Sequence, residues 1–262
     1  MSRDAILGTI RRGLKRGPLP EDQKAMLRAR MAAHPRHLIP ARSRLDRAGQ
    51  VALFIRNVEK EFGTVERVPD LAAVPAAVSD YLAAHNLPPR FAMAPHPELQ
   101  GIDWSDRPLL EFEARKGAAS DQASLQHGFA AVAETGTLML PVAGERPTTL
   151  NLLPDTAMVF LRASRIVGAY EEAWDLLRAE RVDPLTGGFM PRNVMLVTGP
   201  SRSADIEQTL ELGAHGPRRL HVILLDDDPA ALPEAVAAAP DLRPEPARHP
   251  IAEPGEPASP GD

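Results

Sequence analysis

Residues 220–225, Leu-His-Val-Ile-Leu-Leu, form a run of strand length that is almost entirely apolar. A strand with one solvated face alternates apolar and polar residues, whereas a strand covered on both faces reads as a nearly continuous apolar run. This stretch therefore favours a parallel sheet with helices on both faces. Further strands are predicted at Thr64–Val68, Phe91–Ala94, Leu109–Glu113, Phe129–Ala133, Thr137–Leu140, Ala157–Leu161 and Asn193–Val197.

Between these runs, apolar residues recur at the spacing of a helix face. The alternation of helices and strands predicts one main α/β domain with an open, largely parallel sheet. The helical stripes are Val51, Phe54, Ile55 and Val58; Leu71, Val74, Val78, Tyr81 and Leu82; and Tyr170, Ala173, Trp174 and Leu177.

The composition excludes several classes of protein. The chain has no cysteine, which removes disulfides, thiol nucleophiles and thiolate ligation of zinc or iron–sulfur clusters. No apolar run approaches the roughly 20 residues that span a bilayer, and the first residues do not resemble a secretory signal. We therefore expect a soluble cytoplasmic protein without membrane insertion. A net charge of -5 and 4% aromatic residues argue against nucleic-acid binding.

The two ends of the chain differ from its middle. Residues 1–47 contain twelve basic and four acidic residues, so this segment carries about +8 and the remainder about -13. Ile6, Ile10 and Leu14 are spaced as in an amphipathic helix, and a second helix is predicted over Met26–Ala33. The domains expected are thus a basic helical arm at 1–47, an α/β domain at 48–228 and a disordered, proline-rich tail at 229–262. The arm either packs as a solvated surface or binds a partner.

Ligands of open α/β sheets bind beyond the carboxyl ends of the strands, so polar residues there are candidate site residues. The first such stretch is Glu134-Thr135-Gly136-Thr137, where a glycine lets the backbone approach a ligand closely. The same pattern also fits an ordinary tight turn between two strands. Glu134 is the candidate catalytic residue, and Thr135, Gly136 and Thr137 are candidate ligand-binding residues.

Two further stretches offer anion-binding groups. Arg146 precedes a short hydroxyl-bearing turn that ends at Pro154, and its planar guanidinium suits a carboxylate or phosphate. The stretch from Thr198 to Glu207 predicts a helix after a strand, with Ser201 or Ser203 as N-cap and Asp205 in the first turn. His215 lies in the loop that follows. Surface ion pairing, plain capping and loop filling are the alternative interpretations of these residues. The histidines show no metal-ligand spacing, so neither a metal nor a cofactor is expected.

The order and spacing of three motifs resemble the lactate-utilisation protein C family, single-domain members of the LUD superfamily. They are Ala133-Glu-Thr-Gly-Thr-Leu138, Arg146 with Leu152-Leu-Pro154, and Gly199-Pro-Ser-Arg-Ser-Ala-Asp-Ile-Glu207 with Gly213-Ala-His-Gly-Pro217. Ser203 stands where that family often has threonine. The resemblance covers residues 50–228 and implies a fold similar to those of ribose-phosphate isomerases and coenzyme A transferases.

The resemblance also implies a function. It is a part in oxidising lactate to pyruvate beside two partner proteins with iron–sulfur clusters, in which this chain is the cluster-free, non-redox member and binds a small anion or a partner. An enzyme acting on an acyl-coenzyme A or a sugar phosphate is the first alternative, and it rests on the fold alone. A structural scaffold whose motifs are only turns is the second.

Overall fold

The structure is a computed structural model that describes residues 2–15, 17–181, 188–204 and 210–231. The chain divides into two units, Met1–Pro40 and Ala41–Asp262. No helix in the described ranges is both long and apolar enough to cross a membrane.

The first unit contains the two predicted helices, α1 (Arg3–Gly13) and α2 (Glu21–Ala33). The Ser2 hydroxyl caps α1 by accepting a hydrogen bond from the Ala5 N–H at 3.3 Å. No residue of either helix is buried. The apolar side chains that the spacing places on one face of α1 are therefore exposed.

The second unit is built on a six-stranded sheet in which every neighbouring pair is parallel. Its strands are β1 (Thr64–Val68), β2 (Arg90–Met93), β3 (Glu111–Ala114), β4 (Ala123–His127), β7 (Thr156–Arg162) and β12 (Arg219–Leu225). Their order is β1-β12-β7-β4-β2-β3. The apolar run at 220–225 thus forms an inner strand of a parallel sheet, which confirms the predicted fold class.

A second sheet has four strands, β5 (Ala130–Val132), β6 (Thr137–Pro141), β8 (Ile166–Val167) and β9 (Val194–Thr198), in the order β8-β5-β6-β9. Here β6 runs antiparallel to both of its neighbours. Two predicted strands, near Phe129–Ala133 and Thr137–Leu140, form a hairpin of this sheet. The described residues also contain a short antiparallel pair of strands, β10 (Arg202–Ala204) and β11 (Leu210–Leu212).

Helices cover both faces of the parallel sheet. On one face, α4 (Val74–Ala84) buries Val78 and Leu82 against β2, β4 and β7. On the other, α3 (Arg47–Lys60) packs with the second sheet, and the core there includes Phe54, Val58 and Leu138. A further helix, α6 (Tyr170–Glu180), packs on the second sheet, while the one-turn α5 (Pro97–Gln100) follows β2.

Some expectations for the second half of the chain need correction. The helix expected after Thr198 is replaced by β10 and β11, because the Ser201 N–H donates to Pro217 O at 2.8 Å and the Gly213 N–H donates to Ser201 O at 3.0 Å. Residues 205–209 lie outside the described residues. In the expected tail, residues 229–231 form a 3-10 turn with Ala231 buried, and the remainder lies outside the described residues.

Candidate functional site

Charged and imidazole side chains meet where the parallel strands end. His127 is the last residue of β4 and Arg162 the last residue of β7. His96 and Glu98 belong to the start of α5, directly after β2. Arg146 reaches the same place from the loop after β6 and lies 3.3 Å from His127. We call these five residues the carboxyl-edge cluster, since this edge is where ligands bind in open α/β sheets.

Glu98 holds the centre of the cluster. Its Oε2 lies 2.8 Å from His127 Nε2, and its Oε1 accepts from Arg162 Nε at 2.7 Å. Arg162 also donates to Asp227 at 3.1 Å. Burial raises the pKa of Glu98, but the hydrogen bonds from His127 and Arg162 outweigh it and lower that pKa to about 2. Glu98 is therefore ionised at neutral pH, and it fixes one imidazole and one guanidinium.

Arg146 lies against both imidazoles. Its Nη2 is 2.9 Å from His96 Nε2, and its Nε donates to His127 Nδ1 at 3.3 Å. The Arg146 side chain is only 13% exposed, and its ion-pair partner Glu145 is 44% exposed. Burial, then the nearby His127 and Arg146, lowers the pKa of His96 to about 4, and burial also lowers the pKa of His127. The His96 imidazole is therefore neutral at pH 7.

Three members of the cluster are of metal-binding type: ligand atoms of His96, Glu98 and His127 lie within 4.8 Å of one another. The two rings, however, are stacked, with centroids 3.5 Å apart and planes inclined by 16°. The lone pair of an imidazole nitrogen lies in the ring plane, so stacked rings do not direct their lone pairs to one point. Two arginines also adjoin them and would repel a cation. The arrangement suits an anion better than a metal ion.

The Glu134 motif lies elsewhere, in the turn between β5 and β6. Glu134 is paired with Arg42, whose Nη2 donates to Glu134 Oε1 at 2.7 Å; the side chains are 11% and 59% exposed. Asn57 Nδ2 donates to the backbone oxygens of Ala133 and Glu134 at 2.8 and 3.0 Å. The turn is therefore fastened to α3, and we call residues 133–137 the hairpin turn.

Hydroxyl groups lie beside the hairpin turn. Thr137 Oγ1 is 2.7 Å from Thr135 Oγ1, 2.8 Å from the Tyr170 hydroxyl and 2.6 Å from Thr198 Oγ1. Tyr170 also bonds Thr135, at 3.1 Å. The network joins β6, β9 and the first residue of α6. Thr137 is fully buried, and its hydroxyl is satisfied within the protein.

The structure separates Glu134 and Arg146, two of the candidate site residues that the sequence places after strands. Glu134 precedes β6 and Arg146 follows it, and a five-residue strand spans roughly 14 Å. Arg146 therefore belongs to the carboxyl-edge cluster and not to the hairpin turn. Thr198, by contrast, pairs with Thr137 in the β6–β9 register, so the segment after β9 starts beside the hairpin turn.

The remaining predicted site residues follow that segment. Ser201 does not cap a helix; its hydroxyl accepts from the His215 N–H at 3.1 Å and so ties the two ends of the β10–β11 segment together. Ser203 lies in β10, with its backbone opposite Glu211. Asp205 lies outside the described residues.

Sequence reasoning missed four members of the carboxyl-edge cluster, namely His96, Glu98, His127 and Arg162. Only Arg146 was named as a candidate. A signal was present: His96 and Glu98 come just after a predicted strand, and Arg162 directly follows Ala157–Leu161. The rule that ligands bind beyond strand ends applies to these positions as much as to the three motifs.

Fold and site together define an α/β protein whose parallel sheet carries a charged cluster at its carboxyl edge. Residues 51–225 match the LUD domain, and the chain belongs to the LUD domain family. The fold agrees with a crystal structure of a DUF162 family protein from Deinococcus radiodurans, with a TM-score of 0.51 and 22% identity over 69% of this chain and 99% of that one.

Several relatives have higher identity over shorter stretches. The chain is 33% identical to lactate utilization protein C of Bacillus subtilis over 147 residues, which is 53% of this chain and 60% of that protein. It is 33% identical to the protein of the same name from Bacillus velezensis over 133 residues, or 48% and 54%. An uncharacterised protein of Neisseria meningitidis is 41% identical over 108 residues, 41% of each chain. The chain spans about half the length of the curated relatives it matches.

Proposed function

We propose that this chain is the cluster-free component of a lactate utilisation system. The observation that carries the proposal is its similarity, within the LUD domain, to proteins named lactate utilization protein C at about 33% identity. The cytoplasm, where lactate meets the enzymes of central metabolism, is the proposed location.

The division of labour in such a system follows from the chemistry. Oxidation of lactate to pyruvate releases two electrons and two protons, and the electrons need an acceptor. A chain without cysteine offers no thiolate to an iron–sulfur cluster. We therefore assign the electrons to iron–sulfur partner proteins and give this chain a binding or assembly role. Purified alone, it should be colourless and should not reduce an artificial acceptor with lactate.

The first unit is the proposed contact for those partners. Its helices expose Ile6, Ile10 and Met26, and residues 1–40 contain nine basic and three acidic residues, or about +6. Arg42 and Ser43, by contrast, belong to the α/β unit, where Arg42 pairs with Glu134 and Ser43 is buried. Deleting residues 1–40, and not 1–47 as the charge pattern suggests, should therefore leave a cooperative α/β unit. Partner binding should weaken, most at low salt, where charge attraction is least screened. A molten truncated protein would contradict this.

Growth on lactate tests the function. A strain without the gene should fail to grow on lactate as sole carbon source, grow normally on pyruvate, and recover with the full chain. Affinity purification of the full chain from lactate-grown cells should recover cysteine-rich partners. Normal growth of the deletion strain on lactate would remove the proposed function.

One observation favours a second candidate, an enzyme acting on a small anion. A histidine bonded to an ionised glutamate beside a buried arginine is an arrangement suited to general acid–base catalysis. Turnover of an acyl-coenzyme A or a sugar phosphate by the purified chain, abolished in His127→Gln, would favour this candidate over a non-catalytic subunit.

A further inference from the structure

His96 makes two contacts that one neutral imidazole cannot both satisfy. Its Nδ1 accepts a hydrogen bond from the Glu98 backbone N–H at 3.2 Å, and its Nε2 lies 2.9 Å from Arg146 Nη2. A neutral imidazole has one N–H and one acceptor nitrogen, and a guanidinium has only donors. Both ring nitrogens therefore face N–H donors, and only one of them can accept. In the tautomer whose Nδ1 accepts from Glu98, the proton is on Nε2 and faces the Arg146 N–H. Two donors therefore converge without an acceptor between them.

The neighbouring His127 shows no such conflict. Its Nδ1 accepts from Arg146 Nε at 3.3 Å and lies at the same distance from Arg146 Nη2, and its Nε2–H donates to Glu98 at 2.8 Å. The mismatch is thus confined to His96 Nε2 and Arg146 Nη2. A single oxygen acceptor placed beside these two nitrogens, at hydrogen-bond distance from each, would satisfy both of them.

The charges around Arg146 indicate what that acceptor is. Arg162 is paired with Glu98 and Asp227, whereas Arg146, in the described part of the chain, has only the half-exposed Glu145 as an ion-pair partner. A buried guanidinium of this kind gains most from an added negative charge. A second negative charge would be repelled by Glu98 and Glu145. The cluster therefore suits a monoanion, while a phosphate dianion fits poorly.

We propose that His96 Nε2–H and Arg146 Nη2–H bind a carboxylate oxygen of a small monocarboxylate. The choice of lactate and pyruvate as the acids to test rests on the proposed function. The site itself does not.

The test measures binding of small acids to the full chain by calorimetry and by nitrogen-15 NMR of the histidine rings. The probes are L-lactate, D-lactate, pyruvate and acetate, with inorganic phosphate measured at a pH well above its second pKa, where the dianion predominates. We expect one monocarboxylate per chain, with shifts of the His96 ring nitrogens, identified as the signals missing from His96→Gln. Arg146→Gln should weaken binding about 10- to 100-fold, which corresponds to the loss of one charged hydrogen bond.

Matched variants separate binding from folding. Arg107→Gln changes an arginine in the turn that leads to the amino end of β3, away from the cluster, and should bind as the wild type does. Arg146→Lys keeps the charge but loses the planar fork, so its affinity should lie between those of the wild type and Arg146→Gln. If Arg146→Gln does not melt cooperatively, the lysine variant and the His96 shifts carry the test.

Three results would overturn the proposal. The first is no binding of any carboxylate up to about 10 mM, tenfold above the usual upper range of enzyme KM values. The second is binding of phosphate that is as tight as that of the monocarboxylates or tighter. The third is a loss of affinity in Arg107→Gln equal to that in Arg146→Gln. Failure here is distinct from failure of the proposed function. Growth on lactate can depend on a chain that binds no acid, and a carboxylate site can exist in a chain that lactate growth does not need.

Discussion

Two regions of this protein place a glutamate beside an arginine, and they do so by different means. In the carboxyl-edge cluster, Glu98 is held by Arg162 and His127 and is part of a continuous charged network. In the hairpin turn, Glu134 has the exposed Arg42 as its ion-pair partner, and the polar groups beside it are neutral. Charged interactions hold the side chains of the first region in place, whereas packing and hydrogen bonds of the backbone hold the second.

This difference predicts how each region responds to change. A network of charges and imidazoles is sensitive to pH and to an added anion, because every member shifts the protonation of the others. A turn fastened by amide and hydroxyl groups is sensitive to volume and to backbone conformation. Glu134 is the one charged group of a closely packed turn, which makes it the residue whose role the packing does not explain.

The largest effect is expected from Glu134→Gln. If Glu134 acts as a base or a nucleophile, growth on lactate should be almost lost. The melting temperature should barely move, because glutamine keeps the size of the side chain and an ion pair to an arginine that is 59% exposed contributes only about 0–1 kcal/mol. Growth, soluble protein level and thermal melts are measured together, with Arg42→Gln as the control that removes the same ion pair but keeps the carboxylate. Normal growth of Glu134→Gln at normal abundance would leave the hairpin turn a purely structural element.

Gly136→Ala should be the most destabilising change in the hairpin turn. Gly136 has a φ of +67°, and an added Cβ would lie 2.7 Å from Val58 N and 2.8 Å from the carbonyl carbon of Asn57, both backbone atoms of α3. Strain and overpacking together should cost about 3 kcal/mol or more in urea unfolding. Gly144→Ala is the control, since a Cβ there meets nothing within 4 Å. Equal melting of the two variants would mean that the turn is not held by its packing.

The sheet was predictable because its strands are local apolar runs, as at Leu220–Leu225. His127 of the carboxyl-edge cluster was not, because β4 interrupts its apolar pattern with Ser124, Gln126 and His127. Ser124 and Gln126 are satisfied by backbone oxygens distant in the sequence, with Ser124 Oγ donating to Leu150 O at 2.7 Å and Gln126 Nε2 to Pro147 O at 3.0 Å. Local periodicity carries no sign of such partners, so the strand was not predicted and its terminal histidine was not considered.

The prediction of a helix after Thr198 was wrong for a related reason. Serines, an aspartate and a glutamate after a glycine and a proline are typical of a helix start. The backbone of Ser201 instead bonds Pro217 and Gly213, twelve or more residues away. The hairpin turn was placed correctly between two strands, but its strands belong to the second sheet. Which sheet a strand joins depends on partners such as Thr198, which pairs with Thr137.

The free energy of unfolding should fall as the pH is lowered, and part of this fall should come from the carboxyl-edge cluster. The folded pKa of His96 is lowered from 6.5 to about 4, so the stability it contributes is present above pH 6.5 and is lost as the pH falls toward 4. The pKa of Glu98, lowered to about 2, adds a second loss below pH 4.5. Because His96 is partly exposed, its share is roughly 1–2 kcal/mol.

Urea unfolding at pH 7.5, 5.5 and 4.5 measures this loss. His96→Gln should flatten the fall between pH 6.5 and 4. The parts due to His127, whose pKa burial also lowers, and to His221, whose pKa burial lowers to about 4, should remain. His37→Gln, an exposed histidine of the first unit, should leave the profile unchanged. If Glu134→Gln flattened the profile and His96→Gln did not, the assignment of charge to one region and packing to the other would be reversed.

The smallest effect expected is that of Tyr170→Phe, which removes one hydroxyl from the network beside the hairpin turn and keeps the aromatic ring. The Tyr170 hydroxyl bonds Thr137 at 2.8 Å and Thr135 at 3.1 Å, but Thr137 keeps its bonds to Thr135 and Thr198. The loss should therefore be about 1 kcal/mol, the usual net value of one neutral hydrogen bond.

A double-mutant cycle with Thr198→Val shows whether the hydroxyl groups act as a unit. Removing both Tyr170 and Thr198 hydroxyls leaves the buried Thr137 oxygen with Thr135 alone, so the double variant should lose more than the sum of the two single losses. Additive losses would mean that each hydroxyl is satisfied separately. The hairpin turn would then depend on Gly136, the Asn57 hydrogen bonds, the Arg42 ion pair and the backbone bonds of Ala133 and Glu134 to Val167 and Gly168.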